Sequence, residues 1–430
     1  MALLESSPGA RLPGAIALTP EQARIPTSRY TSPEFHAAEV ERMWKRTWQM
    51  ACRVEDVAEP GAWVRYDIAD QSYVVVRGED GALRAFANVC RHRGNQLKAG
   101  ACGVHPEVRC PYHFWSWSLD GSLKHVPDRE LFCDLDDADY ALPTIACDVW
   151  AGFVFVNPAP DPEPLDTFLG PELQAQLAPY HLDRMRRVID IVTPVSANWK
   201  VVVEAFLEVY HVQGIHPQLL PMLDDTATTF ECFDTHSMMV VPFGVPSMRI
   251  EDVTPAAMIE AYERSSGFGG GDVPATSLVA RDLEHARELL IDRIAAAGER
   301  SGNDYSGLDR GQLIDDWHYH VFPNLVFNAH AGGFLFFRIR PDAASPDRCW
   351  FDLQIFAAVD DTTRAAYRYQ APGEVAERAA SLGEVLDQDL ENLPRVQRGL
   401  HADALDAVTL SRQEIRIVQL HEVLDRYLAG

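Results

Sequence analysis

Cys90-Arg91-His92 and Cys110-Pro111-Tyr112-His113 set two thiols and two imidazoles in the order C-x-H…C-x-x-H. Two thiolates and two neutral imidazoles suit a [2Fe–2S] cluster in which Cys holds one iron and His the other. Such a cluster is less negative than one held by four thiolates, so its potential is higher and it serves as an electron relay. A Cys2His2 zinc site is the competing reading. Structural zinc modules pair Cys with Cys and His with His along the chain, whereas this sequence alternates them. Each pair sits in a tight loop, with Gly94 after the first and Pro111 inside the second. Asp120-Gly121 then reads as the turn of a following hairpin.

A second constellation follows: Glu208-Val209-Tyr210-His211 and His216-Pro217, preceded by Asn198-Trp199-Lys200. Val202, Ala205, Phe206 and Val209 recur at helical spacing and predict a buried helix through Val209. Pro217 predicts a break that swings His216 back toward His211. Glu204, one turn before Glu208, is expected on the same face. Two imidazoles and one carboxylate on one face of an iron leave open positions for O2 and substrate. An H-x4-H pair alone is a weak signal, because His in an apolar helix is more often packed and hydrogen-bonded. Asp387, Asp389 and Glu391 are candidates for the carboxylate. Chemistry does not choose among them, since acidic clusters near a helix are usually solvated faces.

The loops CRHRGNQL (90–97) and CPYHFWSW (110–117), the E-x-x-H-x4-H stretch and the segment 387–400 together resemble a known family over residues 40–425. That family is the α subunits of Rieske non-haem iron ring-hydroxylating oxygenases. The resemblance implies an α+β chain: a small all-β domain for a [2Fe–2S] cluster on Cys90, His92, Cys110 and His113, then a helix-grip-like catalytic domain with an antiparallel sheet and helices. It implies Asp389 as the third ligand of a mononuclear Fe(II) beside His211 and His216. It implies Glu208 as an electron bridge between that iron and a cluster histidine of a neighbouring subunit, hence a head-to-tail homotrimer. Most members carry Asp at this position; Glu is found in those resembling quaternary-ammonium monooxygenases. Members often carry Gly where Phe114 stands. Phe114 therefore implies an ordinary backbone there or a shield over the cluster, and it is assigned to packing with Trp115 and Trp117.

The implied activity is hydroxylation or dihydroxylation of a hydrophobic aromatic or alicyclic compound. The alternative is monooxygenation or demethylation of an amine or quaternary ammonium compound, for which aromatic walls serve equally. A Rieske electron carrier is the non-enzymatic reading, and it leaves the second half of the chain unused. With no dinucleotide fingerprint and no plant-type ferredoxin pattern, electrons from NAD(P)H are expected through a partner flavin reductase, with or without a ferredoxin. Phe206, Leu207, Leu220, Phe322, Phe327 and Phe334 are pocket candidates that read equally as core. His318, His320 and His330 are candidates to orient a polar substituent.

Composition bounds these readings. The 430 residues are 47% hydrophobic and 23% charged, an ordinary globular profile. A net charge of −25 argues against nucleic acid and is compatible with docking a basic redox partner. No apolar run reaches membrane-spanning length, and residues 1–27 lack the apolar core of a secretory signal, so a cytoplasmic location is expected. Six Cys besides the cluster pair (Cys52, Cys102, Cys133, Cys147, Cys232 and Cys349) are irregularly spaced and read as free thiols.

The elements that must position these residues are legible in outline. Ser32-Pro33-Glu34 starts a helix expected to run through Trp44. Trp63–Ile68, Tyr73–Arg77, Leu83–Asn88 and Gly152–Asn157 read as strands around the cluster loops. Residues 158–164 are a Pro/Asp-rich linker. The expected division is 1–45 arm and helix, 46–158 cluster domain, and 159–430 catalytic domain. In the last, Arg187–Thr193, Tyr319–Phe327, Gly333–Arg340 and Cys349–Ala358 read as strands and Ser277–Arg300 as a helix. Ser411-Arg412-Gln413-Glu414 is a capping box before the final helix. Gly267–Gly271 reads as a mobile loop without phosphate-binding spacing.

Overall fold

The computed structural model describes residues 18–265, 277–359, 366–369 and 382–430. The expected Gly267–Gly271 loop and most of the N-terminal arm lie outside these residues. The chain divides into two compact units. One is Ala38–Gly170 with Asp342–Ala344; the other gathers Met1–Ala37, Pro171–Pro341 and Ser345–Gly430. The N-terminal residues thus fall with the second unit, and the division lies at Gly170 rather than at 158.

The first unit is all β. Seven strands form an antiparallel sheet in the order Gln49–Arg53, Phe153–Asn157, Thr144–Trp150, Leu83–Ala87, Gln71–Arg77, Ala62–Ile68, Cys102–Val104. The β-branched run Val74-Val75-Val76 is buried on both sides, as a central strand requires. A smaller sheet joins Val108–Arg109, Ser116–Trp117 and Leu123–His125. Its hairpin turns at Asp120-Gly121. Gly121 has φ +89°, and a Cβ there would lie 2.5 Å from the Phe86 ring, so only glycine fits. Trp63, Phe86, Trp115 and Trp117 form the core, and the thiols of Cys90 and Cys110 are buried in it.

The second unit is built on an eight-stranded sheet in the order Thr229–Cys232, Ser237–Val241, Asp316–Val321, Leu325–His330, Gly333–Pro341, Cys349–Ala357, Arg186–Val195, Ala366–Tyr369. All pairs are antiparallel except the last. The helix Trp199–Ala205 packs on this sheet and on the helix Glu384–Leu400, while Ile415–Leu428 covers its first strands. The expected single strand Tyr319–Phe327 is instead a hairpin between Asp316–Val321 and Leu325–His330. Pro323 has no N–H to offer a ladder and sits in the turn. The helix expected from Ser277 begins at Leu283, where the Asp282 carboxylate accepts from His285 N at 2.8 Å.

The helix predicted through Val209 ends at Ala205. The amides of Phe206 and Leu207 bond three residues back, to Val203 and Glu204 carbonyls, which tightens the last turn and closes the helix. The Glu208 carboxylate then accepts the His211 amide at 3.0 Å and opens a short second helix, Val212–Ile215. His211 and His216 stand immediately before and after that single turn, so their rings emerge at its two ends.

Candidate iron centres and substrate cavity

The two Cys–His loops share one backbone pattern. Cys90 N bonds Asn95 O and Gly94 N bonds Cys90 O; Cys110 N bonds Trp115 O and Phe114 N bonds Cys110 O. Gly94 and Phe114 hold equivalent positions, with φ of +75° and +59°. Phe114 therefore takes the left-handed conformation that was not expected of an aromatic, at a cost of roughly 1–2 kcal/mol. It is 57% exposed and does not pack in the core, and Arg109 lies over its ring at 5.9 Å. Trp115 and Trp117 are core, and Trp115 stacks on His92 with ring centroids 5.0 Å apart. The His92 and His113 rings meet edge to face at 4.8 Å. His92 Nδ1 is buried without a hydrogen-bond partner, as expected of a ring nitrogen reserved for a metal. Burial, with Cys110 beside it, pushes the Cys90 thiol up, and a cluster ligand would have to lose that proton. Two thiols and two imidazoles, one of each on either loop, are the donor set of a two-iron cluster with Cys on one iron and His on the other.

A compact set is formed by His211, His216 and Asp389, whose ligand atoms all lie within 4.8 Å of one another. Asp389 arrives on the helix Glu384–Leu400, 173 residues after His216, and its Oδ1 is 2.8 Å from His216 Nε2 and 3.9 Å from His211 Nε2. Each imidazole is oriented from behind. His211 Nδ1 donates to Glu208 Oε1 at 2.7 Å, and His216 Nδ1 donates to Gln388 Oε1 at 2.7 Å. The Nε2 lone pairs therefore point inward at Asp389, the arrangement metal-binding histidines need. Burial works against charge on His211, but Glu208 and Asp389 outweigh it and raise the pKa. Two neutral nitrogens and one carboxylate oxygen on one side of a point fit an iron ion with open positions opposite. Gln388 was not among the expected site residues; its only sequence signal is its place beside Asp389. Glu204, expected on the face of Glu208, points elsewhere. Its carboxylate takes hydrogen bonds from Tyr30 Oη at 3.1 Å and His421 Nε2 at 2.9 Å, and burial raises its pKa to about 8.

A cavity of about 420 Å3 opens over His216, Asp389 and Glu208. Phe206, Met239, Phe243, Phe337 and Leu353 give it apolar walls, and Asp316, His318, Asn328 and His330 form a polar corner. Of the expected pocket residues only Phe206 lines it. Leu207 and Leu220 are buried in core. Phe327 and Phe334 project from the opposite face of the sheet, where they pack with Tyr319, Phe336 and Tyr180, and Phe322 stacks on Tyr427. His320 is likewise absent from the lining and bonds Pro323 O. The strand period of two decides this: Asn328 and His330 alternate with Phe327, and Leu335 and Phe337 with Phe334.

The ring-hydroxylating α-subunit catalytic-domain model matches residues 182–430, and the Rieske [2Fe-2S] domain model matches residues 47–136. The chain belongs to the ring-hydroxylating α-subunit family. The Rieske-domain match spans both Cys–His loops, and the catalytic-domain match contains the His211, His216 and Asp389 cluster. The glycine betaine monooxygenase oxygenase subunit of Chromohalobacter salexigens is 35% identical over 205 residues, covering 47% of this chain and 46% of that one. The carnitine monooxygenase oxygenase subunit of Escherichia coli is 34% identical over 214 residues, covering 49% and 57%. These matches span about half the length of the curated relatives. Among solved structures, a quaternary ammonium Rieske monooxygenase with L-carnitine superposes with TM-score 0.66 at 18% identity, covering 94% of this chain and 95% of that one. Naphthalene 1,2-dioxygenase with indole gives 0.68 at 17%, covering 96% and 94%. The Rieske oxygenase fold is thus common to both structures. No described helix is long and apolar enough to cross a membrane.

Proposed function

We propose that this α subunit is the oxygenase component of a Rieske monooxygenase acting on a small quaternary ammonium or methylated amine compound. The observation that carries this reading is Asp316. Its carboxylate is buried in the wall of the cavity that holds His216 and Asp389, and both oxygens accept from Asn328 Nδ2 at 2.9 Å. His330, at 3.6 Å, is kept neutral because burial lowers its pKa to about 4. Among the described residues the Asp316 carboxylate is hydrogen-bonded only to the neutral Asn328, and burial, which is costly for a carboxylate, raises its pKa to about 6 although the Arg416 charge offsets part of that cost. A cationic ligand among Phe206, Phe243 and Phe337 would offset that cost and gain from the ring faces. The glycine betaine and carnitine monooxygenase oxygenase subunits at 34–35% identity support the same class. The aromatic or alicyclic substrate first expected from the sequence has less support.

In this reading His211, His216 and Asp389 hold a ferrous ion, which supplies reductive activation of O2. Glu208 and Gln388 fix the two imidazoles so that Nε2 of each faces the ion. The Phe and Met walls exclude water from the reacting carbon. Glu208 also joins His211 to a cluster histidine of a neighbouring subunit in a homotrimer, and a partner flavin reductase, with or without a ferredoxin, supplies electrons from NAD(P)H. The test is product analysis with labelled O2 on the reconstituted enzyme with a reductase, across glycine betaine, carnitine, tertiary methylamines, benzene and naphthalene. One labelled atom per oxidised amine is expected. Turnover of the arenes alone, with two labelled atoms in the product, would refute the reading.

A further inference from the structure

We propose that the Asn328 side-chain oxygen is the atom that receives the substrate nitrogen, and that it selects an ammonium bearing an N–H over a fully methylated one. The inference rests on reading this cavity as the substrate site and divides the class named above. Protonated secondary and tertiary methylamines are favoured; quaternary ammonium compounds are not.

Asn328 lies on the strand Leu325–His330, is half-buried and lines the cavity. In the sheet it stands between His318 on one neighbouring strand and Leu335 on the other, where the polar corner meets the apolar wall. Its amide can face Asp316 in one way only. The Asp316 carboxyl is ionised above about pH 6, and an ionised carboxylate accepts and never donates. The Nδ2 group therefore turns to Asp316, where both carboxylate oxygens lie 2.9 Å from it. The amide is planar, so Oδ1 points off the other branch, away from Asp316. It takes no hydrogen bond from a described residue and is accessible to solvent. Because Nδ2 donates to a carboxylate, the amide is polarised and Oδ1 becomes a stronger acceptor.

That fixes what the ligand nitrogen should carry. A protonated tertiary amine keeps one N–H, loses its water on entering an apolar cavity and needs a new acceptor. Asn328 Oδ1 supplies it as a charge-assisted bond, worth roughly ten- to a hundredfold in affinity. A quaternary nitrogen is ringed by methyl groups and leaves Oδ1 unsatisfied. Without this acceptor the order reverses, since the extra methyl adds apolar contact and the stripped N–H has no partner.

The test is calorimetric binding to holoenzyme at about pH 7.5, where an alkylamine is protonated. The ligands share a benzyl group. N,N-Dimethylbenzylamine and benzyltrimethylammonium differ by one methyl on nitrogen; benzyl alcohol and benzyl methyl ether are the uncharged pair. The wild type is expected to bind the amine at least tenfold more tightly than the quaternary compound. Asn328→Leu keeps the side-chain shape and removes the acceptor. It leaves Asp316 without a partner and weakens both cations alike, so the ratio is the readout, and the preference is expected to vanish or reverse. Asn328→Asp keeps an oxygen at the position and is expected to retain the preference. Quaternary binding as tight as that of the amine in the wild type, or an undiminished preference in Asn328→Leu, overturns the inference. Should Asn328→Leu fail to fold, the wild-type ratio and Asn328→Asp decide it, and loss of the preference in Asn328→Asp overturns it. A preference confined to the alcohol over its ether sinks the ammonium reading and leaves Asn328 standing as the acceptor; tight binding of both cations, indifferent to Asn328, does the reverse.

Discussion

Replacing Gln388 by Leu isolates one contribution to the iron site without touching a ligand. The Gln388 Oε1 atom takes the His216 Nδ1–H at 2.7 Å and also a bond from Gln218 Nε2 at 2.7 Å. Losing the first removes a net hydrogen bond of about 1 kcal/mol. It also frees His216 to rotate or to place its proton on Nε2, where it would block the metal. Deleting such outer partners typically weakens metal binding 10- to 100-fold, about 1.4–2.7 kcal/mol at 1.36 per decade. Gln388→Glu keeps an acceptor and makes it anionic, so it should bind iron at least as tightly as the wild type. Competition against a chromogenic Fe(II) chelator measures this, with the visible absorbance of the cluster as internal reference. The reasoning fails if Gln388→Leu holds iron as tightly as wild type, or if Gln388→Glu is as weak as Gln388→Leu.

Asp389→Ala should lose the mononuclear iron and all turnover while the red cluster persists; iron analysis beside the visible spectrum checks this. Glu208→Gln keeps an acceptor for His211 but loses charge, so iron should stay while electron transfer from a reduced cluster slows by at least tenfold in single-turnover stopped flow. The Asp316 carboxyl has its pKa raised to about 6, so it takes up a proton as pH falls through that value. Affinity for a cationic ligand should therefore be constant above about pH 7 and fall toward tenfold per unit below 6, a dependence that Asp316→Asn should abolish in a calorimetric pH series. Asn198 caps the helix Trp199–Ala205 by accepting from Lys200 N at 3.0 Å, and it donates to Tyr30 O at 3.0 Å and Pro346 O at 2.8 Å. Asn198→Ala should cost about 3 kcal/mol, one for the cap and one for each buried bond, read from a denaturant midpoint.

What the sequence made legible follows how local each feature is. Cys90 and His92, Cys110 and His113, and His211 and His216 each come from one loop or turn, so their spacing survives as geometry. Asp389 is brought in by a helix 173 residues later, and only a resemblance singled it out from Asp387 and Glu391. The cavity walls were misread for a different reason. The central strands are buried on both faces, so Phe327 and Phe334 carry the same hydrophobic signal as residues that face the cavity, and register alone separates them. Asp316, Asn328 and Gln388 were missed because a lone polar residue in a strand or an acidic helix has no periodic signature. The helix end at Ala205 was missed because Val209 continues the apolar spacing, while the deciding bonds, from the Phe206 and Leu207 amides to the Val203 and Glu204 carbonyls, leave no mark in the periodicity.

The central claim is that one chain binds a two-iron cluster and a separate single iron. Anaerobic reconstitution followed by iron and acid-labile sulfide analysis tests it directly. About three irons and two sulfides per chain are expected, falling to about two irons and two sulfides in Asp389→Ala. Two irons in both proteins, or a colourless wild type without labile sulfide, would contradict it.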